Sequence, residues 1–131
     1  MTRFLAPAIH VLFGLVLFMC VLPSAAGAQT ITEIIDDTGD GAGNTLDIPF
    51  AVAADSSGNV YVTGVGTNNV FRITPSGSIT EIIDSTGDGL GNSLVDPIGV
   101  AVDSSGNVYV SGFDSTSRNV FKIATPGTCN T

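Results

Sequence analysis

The feature that most constrains the fold is an internal repeat that covers almost everything after residue 30. Residues 31–62 align with residues 79–110 without a gap, and 24 of the 32 positions are identical. The segment NNVFRI at 68–73 returns as RNVFKI at 118–123, after two inserted residues. Repeats of roughly 20–50 residues build arrays in which each unit buries its apolar face against the next. We therefore expect two copies of one structural unit, at about 31–78 and 79–128, with the insertion in a loop.

Each repeat contains four short segments with the composition of β-strands. In the first repeat they are residues 50–54, 59–63, 69–74 and 78–83. Val60 and Val62 alternate with Tyr61, as expected of a strand with two different faces, whereas FAVAA at 50–54 is apolar throughout and predicts a strand buried on both faces. Segments rich in Asp, Ser, Gly and Pro separate the strands as turns. Four short antiparallel strands in each unit are typical of a β-propeller blade, so the predicted fold is all-β.

Several of these segments resemble known propeller repeats. PIGVAVDSSGNVYVSG (97–112), followed by NVFKI (119–123), resembles the NHL repeat of six-bladed propellers. ITEIID…GDGLGNSL…P (79–97) resembles the linker and opening strand of bacterial members of that family, and DSSGNVYVTG (55–64) is similar to the bacterial β-propeller repeat motif. The resemblance implies a propeller architecture. It implies little about activity, because such propellers include scaffolds, ligand binders, lyases and lactonases.

The first 28 residues have the form of a secretory signal. Arg3 precedes an apolar run at 11–22, Pro23 follows that run, and residues 26–28 (AGA) give the small-residue pattern of a cleavage site. The alternative is a membrane anchor, but an anchor needs roughly 20 apolar residues and this run is shorter. We expect a signal helix that is removed, and a mature region of residues 29–131 that is secreted or periplasmic and has no membrane attachment.

The composition of residues 29–131 excludes several classes of function. This region contains all twelve acidic residues but only Arg72, Arg118 and Lys122 as basic ones, which gives a net charge of −9. Such a charge disfavours binding to nucleic acid or to anionic lipid. The only histidine, His10, lies in the leader, so the mature region has none for a catalytic triad or a zinc site. Cys129 is its only cysteine, which excludes an intramolecular disulfide.

The order of the strands predicts an incomplete ring. Residues 31–36 match the fourth strand of the first repeat, so the mature region opens with a spare strand of this type. The second repeat ends its third strand at Ile123, and the sequence CNT (129–131) stands where a fourth strand is expected. In one interpretation three chains close a six-bladed ring, each completing the last blade of its neighbour. In the other, the chain is a fragment of a longer propeller or the product of a decayed gene.

A candidate calcium site lies in the segment DDTGDGAGNTLD at 36–47. Its oxygen-bearing residues follow the spacing of a calcium loop around a glycine turn. They are Asp36, Thr38, Asp40, Asn44 and Asp47 in the first repeat, and Asp84, Thr86, Asp88 and Asn92 in the second, where Val95 replaces the last carboxylate. The alternative is a turn between blades in which Asp and Asn cap backbone amides and glycine supplies positive φ.

Three other sets of residues have both a functional and a structural interpretation. The turns at 55–59 and 103–107 are binding loops or hairpin turns. Glu33 and Glu81 are a carboxylate pair or solvent-facing positions of an outer strand. The aromatic residues form a sugar-stacking surface or part of the core between blades; they are Phe71, Phe121, Tyr61 and Tyr109. Arg72 and Lys122 are expected to be exposed.

Taken together, these patterns favour a secreted, non-enzymatic propeller module for binding or scaffolding, without a cofactor. One alternative is a calcium-dependent propeller enzyme of the lactonase or lyase type, with carboxylates and Asn from several blades around an axial metal. Another is a fragment without an independent function. The sequence indicates no ligand.

Overall fold

The computed structural model describes residues 29–115 and 118–124, and within them the chain forms two antiparallel sheets. The first sheet contains β1 (Pro49–Ala54), β2 (Val60–Gly64), β3 (Asn69–Ile73) and β4 (Ile79–Ile83), and the second contains β5 (Pro97–Val102), β6 (Val108–Gly112) and β7 (Val120–Ile123). In both sheets neighbouring strands follow one another along the chain. No residue in these ranges is helical, and none belongs to a helix that could cross a membrane. The all-β fold and the two blade-like sheets are confirmed.

The strands lie where the repeat predicts them. Val62 pairs with Phe71 across β2 and β3, and Val110 pairs with Phe121 across β6 and β7. The insertion falls between β6 and β7, as expected for a loop. The proposed signal peptide at 1–28, with His10 and Cys20, and the segment 125–131, with Cys129, lie outside the described residues.

Each sheet has two faces of different composition because successive side chains alternate along a strand. We call the front face the one that carries Val60, Val62, Phe71 and Ile73 in the first sheet, and Val108, Val110, Phe121 and Ile123 in the second. The back face carries Tyr61, Thr63, Val70 and Arg72 in the first sheet, and Tyr109, Ser111, Val120 and Lys122 in the second.

The two sheets pack with the front face of the second against the back face of the first. Tyr61 and Val70 contribute the first sheet's side of this core, and Leu94, Val110 and Phe121 contribute the second sheet's side. All of these side chains are buried. We call this contact the internal joint.

The front face of the first sheet has its own small cluster. Val62 and Phe71 are buried there beneath Leu46, and Ile35 packs against the same cluster. Leu46 therefore packs on the front face of the first sheet as Leu94 packs on the front face of the second. Residues 36–44 form a turn that we call the first acidic turn, and residues 84–92 form its copy, the second acidic turn. The first acidic turn also covers Phe71, because a Cβ added at Gly39 would lie 3.1 Å from the end of the Phe71 ring.

Two predictions about strands are wrong for the single chain. Residues 31–36 form no strand, since no neighbouring strand pairs with them within the described residues. The strand predicted to be buried on both faces is largely open: Phe50 is 65% exposed and Val52 is 69% exposed. The equivalent Val100 packs into the internal joint. The exposure of Val52 thus has a simple physical cause: within the described residues, no second sheet packs against the front face of the first one.

Candidate functional site

The first acidic turn is held together by its own carboxylates. Asp36 Oδ1 accepts hydrogen bonds from the backbone N–H of Thr38 (2.9 Å) and from its hydroxyl (2.6 Å). Asp40 Oδ1 accepts from the N–H of Ala42 (2.8 Å), and Asp40 Oδ2 accepts from the side-chain amide of Asn44 (2.7 Å). These donors stabilise the ionised forms: the Thr38 hydroxyl lowers the pKa of Asp36, and the Asn44 amide lowers that of Asp40.

The second acidic turn repeats this geometry. Asp84 Oδ1 accepts from the N–H and the hydroxyl of Thr86 at 2.8 and 2.6 Å, and Asp88 Oδ2 accepts from the side-chain amide of Asn92 at 2.6 Å. The pKa values of Asp84 and Asp88 are lowered for the same reasons. Gly87 has a φ of +66°, and a Cβ there would collide with the backbone oxygen of Asn92. The turn conformation therefore requires glycine at this position.

The candidate calcium ligands do not converge in this conformation. The Asp36 and Asp40 oxygens accept hydrogen bonds from their own turn, and Asp47 lies elsewhere, with its carboxylate against Gly66. In the parts of the chain that the structure describes, no three His, Cys, Asp or Glu side chains are grouped to hold a metal. Ca²⁺ takes about six to eight oxygen ligands, whereas in this conformation the Asp36 and Asp40 oxygens cap amides and a hydroxyl of their own turn. Calcium binding stays the alternative interpretation of these turns, and a titration tests it.

The turns at 55–59 and 103–107 have the same conformation and form hairpins. Asp55 Oδ1 accepts from the backbone N–H of Ser57 (2.9 Å) and of Asn59 (3.0 Å), and its Oδ2 accepts from the Asn59 amide (2.7 Å) and the Tyr61 hydroxyl (3.0 Å). Asp103 makes the equivalent four bonds at 2.8–3.1 Å. The side-chain amide of the Asn lowers the pKa of each Asp most strongly. Burial, followed by the hydrogen bond to Asp55, raises the pKa of Tyr61.

A small pocket that the sequence does not predict lies between these two hairpin turns. It has a volume of about 210 Å³ and is lined by residues of both repeats, among them Asp55, Arg72, Ser104 and Ser105. Arg72 was predicted to be exposed but is half-buried. Its Nε is fully buried and has no hydrogen-bond partner among the described residues. Because the lining residues come from separate blades, no local pattern in the sequence could have indicated this pocket.

The aromatic residues are mostly core. Phe71, Phe121 and Tyr61 are buried, which removes them as a surface for stacking sugars. Tyr109 is partly exposed, and the Lys122 ammonium lies 5.7 Å from the centre of its ring. The difference between the two tyrosines follows from the internal joint, which covers Tyr61 only.

The two glutamates also differ. Glu81 on β4 is half-buried, and its Oε1 accepts a hydrogen bond of 2.8 Å from the side-chain amide of buried Asn69 on β3. Glu33 is exposed. The interpretation of both as solvent-facing positions is therefore wrong for Glu81, which ties the outer strand of the first sheet to its neighbour.

The back face of the second sheet is open to solvent where that of the first sheet is covered. Val120 there is 71% exposed, whereas its equivalent Val70 is completely buried. Around Val120 lies a shallow apolar depression of about 270 Å³, also lined by Ala101, Tyr109 and Ser111. This face therefore leaves apolar surface exposed that the first sheet buries at the equivalent position.

Comparison with known families gives one match. Residues 28–72 match a family model described as a β-propeller repeat. This segment contains β1, β2 and nearly all of β3, and the second repeat has the same arrangement of strands. Comparison with curated proteins gives no significant match. The chain thus carries a β-propeller repeat, and the match says nothing about a ligand.

Proposed function

We propose, because the chain carries a β-propeller repeat, that it is a binding or scaffold module that works within a larger ring of blades. We further propose that the ring is of the six-bladed NHL type, built from three copies of residues 29–131, which are secreted or periplasmic. The module is proposed to have no enzymatic activity of its own. Ring formation comes first in this proposal because any ligand surface at the axis requires the complete set of blades.

The proposal rests on a contrast between the internal joint, in which two faces cover each other, and two similar faces that stay open. We call these open faces half-joints: the back face of the second sheet and the front face of the first. The internal joint buries Tyr61 and Val70 of one blade against Leu94 and Phe121 of the next. The second sheet exposes an equivalent back face, and the first sheet leaves part of its front-face surface, including Val52, open to solvent. The front face of the first sheet and the back face of the second are therefore equivalent to the two faces that meet in the internal joint.

The open surfaces give association a physical driving force. Burying a valine side chain stabilises by about 1.5 kcal/mol or more, and Val52 and Val120 both offer most of their surface. The half-joints are different from each other, so copies join head to tail. A head-to-tail contact with a suitable rotation closes into a ring.

The test is the solution mass of the full chain by size-exclusion chromatography with light scattering. The intact mass of the purified protein shows where its N-terminus lies after any processing by the host. We expect one discrete species of three chains. A folded monomer that keeps its mass at high concentration would contradict the ring, and detectable turnover of esters or lactones by the purified protein would contradict the non-enzymatic role.

A further inference from the structure

We propose that residues 31–36 of one copy add to the open edge of β7 in a second copy and become the fourth strand of its second sheet. This inference rests on the proposed ring and specifies how neighbouring copies are joined. It names a segment, an acceptor edge and a register, none of which follows from ring formation alone.

The first argument is that both partners of an observed strand pair occur twice in the chain. Residues 79–84 read ITEIID and include β4, which pairs with β3. Residues 31–36 also read ITEIID. β3 reads NVFRI, and residues 119–123, which include β7, read NVFKI. The chemistry that joins β3 to β4 is therefore available to join β7 to residues 31–36.

Within the described residues, both the segment and the edge of β7 are available. Residues 31–36 form no strand, and Ile34 within them is exposed. Within the described residues the second sheet ends at β7, with no strand on its outer edge. An open edge presents unpaired backbone N–H and C=O groups, and an extended segment from another chain can satisfy them by adding as a strand.

The segment cannot reach the β7 of its own chain, because it lies on the other side of the first sheet. Ile35 packs against the front face of the first sheet. The second sheet lies on the opposite, back face of that sheet. One sheet thus stands between residues 32–36 and the β7 of their own chain, so the acceptor is the β7 of another copy.

The fourth argument is that strand addition and face packing belong to the same contact. β4 leads into the second acidic turn, which brings Leu94 and the front face of its blade onto Tyr61 and Val70. Residues 31–36 lead into the first acidic turn, which carries Leu46 in the same way. A strand donated to β7 therefore brings the front face of its own chain onto Tyr109 and Val120 of the acceptor.

The register follows from the internal pair. β3 and β4 pair Val70 with Ile83, Phe71 with Glu81, Arg72 with Thr80 and Ile73 with Ile79. Transferred to the second joint, this register pairs Val120 with Ile35, Phe121 with Glu33, Lys122 with Thr32 and Ile123 with Ile31. The hydrogen bond from Asn69 to Glu81 becomes one from Asn119 to Glu33 of the other copy.

One contact of the internal joint has no counterpart. The backbone N–H of Asp96 donates to the side-chain oxygen of Asn68 at 2.8 Å. The equivalent positions are Ile48 and Arg118, and the arginine has no acceptor oxygen in its side chain. We therefore expect the joint between copies to be weaker than the internal joint.

The experiment is disulfide trapping in the proposed register, in the full chain with Cys20→Ser and Cys129→Ser as background. One chain carries Thr32→Cys and another carries Lys122→Cys. Directly opposed residues of antiparallel strands have Cα atoms about 4.5–5.5 Å apart, within the range that a disulfide bridges. We expect disulfide-linked heterodimers when the two variants are mixed and oxidised. The matched control is Arg72→Cys with Thr80→Cys in one chain, which should form a disulfide within the monomer.

Each outcome decides between arrangements. Linked heterodimers, with no link when Ser57→Cys replaces Thr32→Cys, support the inference. A chain that carries both Thr32→Cys and Lys122→Cys but forms only an internal disulfide would overturn it, because the segment would then reach its own β7. If light scattering shows a trimer but no link forms in this register, strand donation is wrong and the ring stands. If the chain is a folded monomer and no link forms, both are wrong.

Discussion

The two repeats place equivalent residues in opposite environments. Val70 and Val120 occupy the same position on the same kind of strand, yet the first is completely buried and the second is 71% exposed. Tyr61 and Tyr109 differ in the same direction. The turns, by contrast, are nearly identical: Asp55 and Asp103 each bond the Asn four residues later and the Tyr six residues later, at distances that agree within 0.1 Å. Local conformation is thus determined within a blade, whereas burial depends on the neighbouring blade.

The largest difference between the two repeats is expected when a charge is placed at the two equivalent valines. Val70→Asp puts an unpaired carboxylate into the internal joint, and we expect it to cost at least about 3 kcal/mol, a large part of the stability of a small domain. Val120→Asp should leave the fold of the chain intact but prevent association. Thermal unfolding by circular dichroism measures the first effect, and light scattering measures the second. A Val120→Asp chain that is as unstable as one that also carries Val70→Asp would show that the two positions do not differ as described.

A second test compares two glycines of the same acidic turn. Gly87 and Gly89 both have positive φ, but only at Gly87 would a Cβ collide with backbone. Gly89→Ala should cost about 1–2 kcal/mol from the left-handed conformation alone, and Gly87→Ala should cost clearly more. Chemical denaturation of the two variants gives the difference. Equal costs would mean that the turn relaxes around the added methyl group.

How far the sequence predicts the structure can be seen in particular residues. Alternation of Val60, Tyr61 and Val62 and the flanking Asp-Ser-Ser-Gly turn were sufficient to predict β2 and its two faces, because these are local properties. The burial of Arg72 and the pocket beside it were not predictable, since they depend on Ser104 and Ser105 of the other blade. The exposure of Phe50 was missed for a similar reason: an apolar strand predicts burial, but whether a second sheet covers it depends on residues far away in the chain.

Acid should destabilise both blades together. The pKa values of Asp55 and Asp103 are lowered in the folded chain from the ordinary value of 3.8. The stabilisation by their ionised forms is therefore present above about pH 4, and it is lost as the pH falls through the lowered folded-state pKa values. We expect the Tm to be nearly constant from pH 7 to pH 5 and to fall below about pH 4. Asp55→Asn and Asp103→Asn should each reduce this decrease in Tm by a similar amount. If only one of them reduces it, the two hairpins do not contribute equally to the acid sensitivity.

A smaller difference is expected at the tyrosines. Tyr61→Phe removes a hydrogen bond of a buried side chain to Asp55 and should cost about 1 kcal/mol. Tyr109→Phe removes the equivalent bond at a partly exposed position and should cost less. Urea unfolding of Val120→Asp chains that carry each change measures both costs without association. A larger cost at Tyr109 would contradict the burial assigned to the two residues.

The smallest effect is expected from calcium. Because the turn carboxylates already accept hydrogen bonds from their own amides, we expect no change in Tm on addition of Ca²⁺ or of a chelator. A rise in Tm with Ca²⁺ would contradict this expectation, since binding to the folded state must stabilise it. Asp47→Val would then show whether the Asp47 carboxylate contributes to binding, because it gives the first turn the residue of the second at that position.

The difference between the front and back faces has a consequence for mixtures of intact and damaged chains. In head-to-tail assembly a chain with Val120→Asp still offers an intact front face and the segment 31–36, but it accepts no neighbour. In the proposed assembly such a chain binds one intact copy, and no further copy can bind to its own back face. We therefore expect a minority of defective copies to block the assembly of a larger number of intact copies, as a dominant-negative subunit does. A closed ring should also form with little free two-chain intermediate, because the final contact is made within one complex at a high effective concentration.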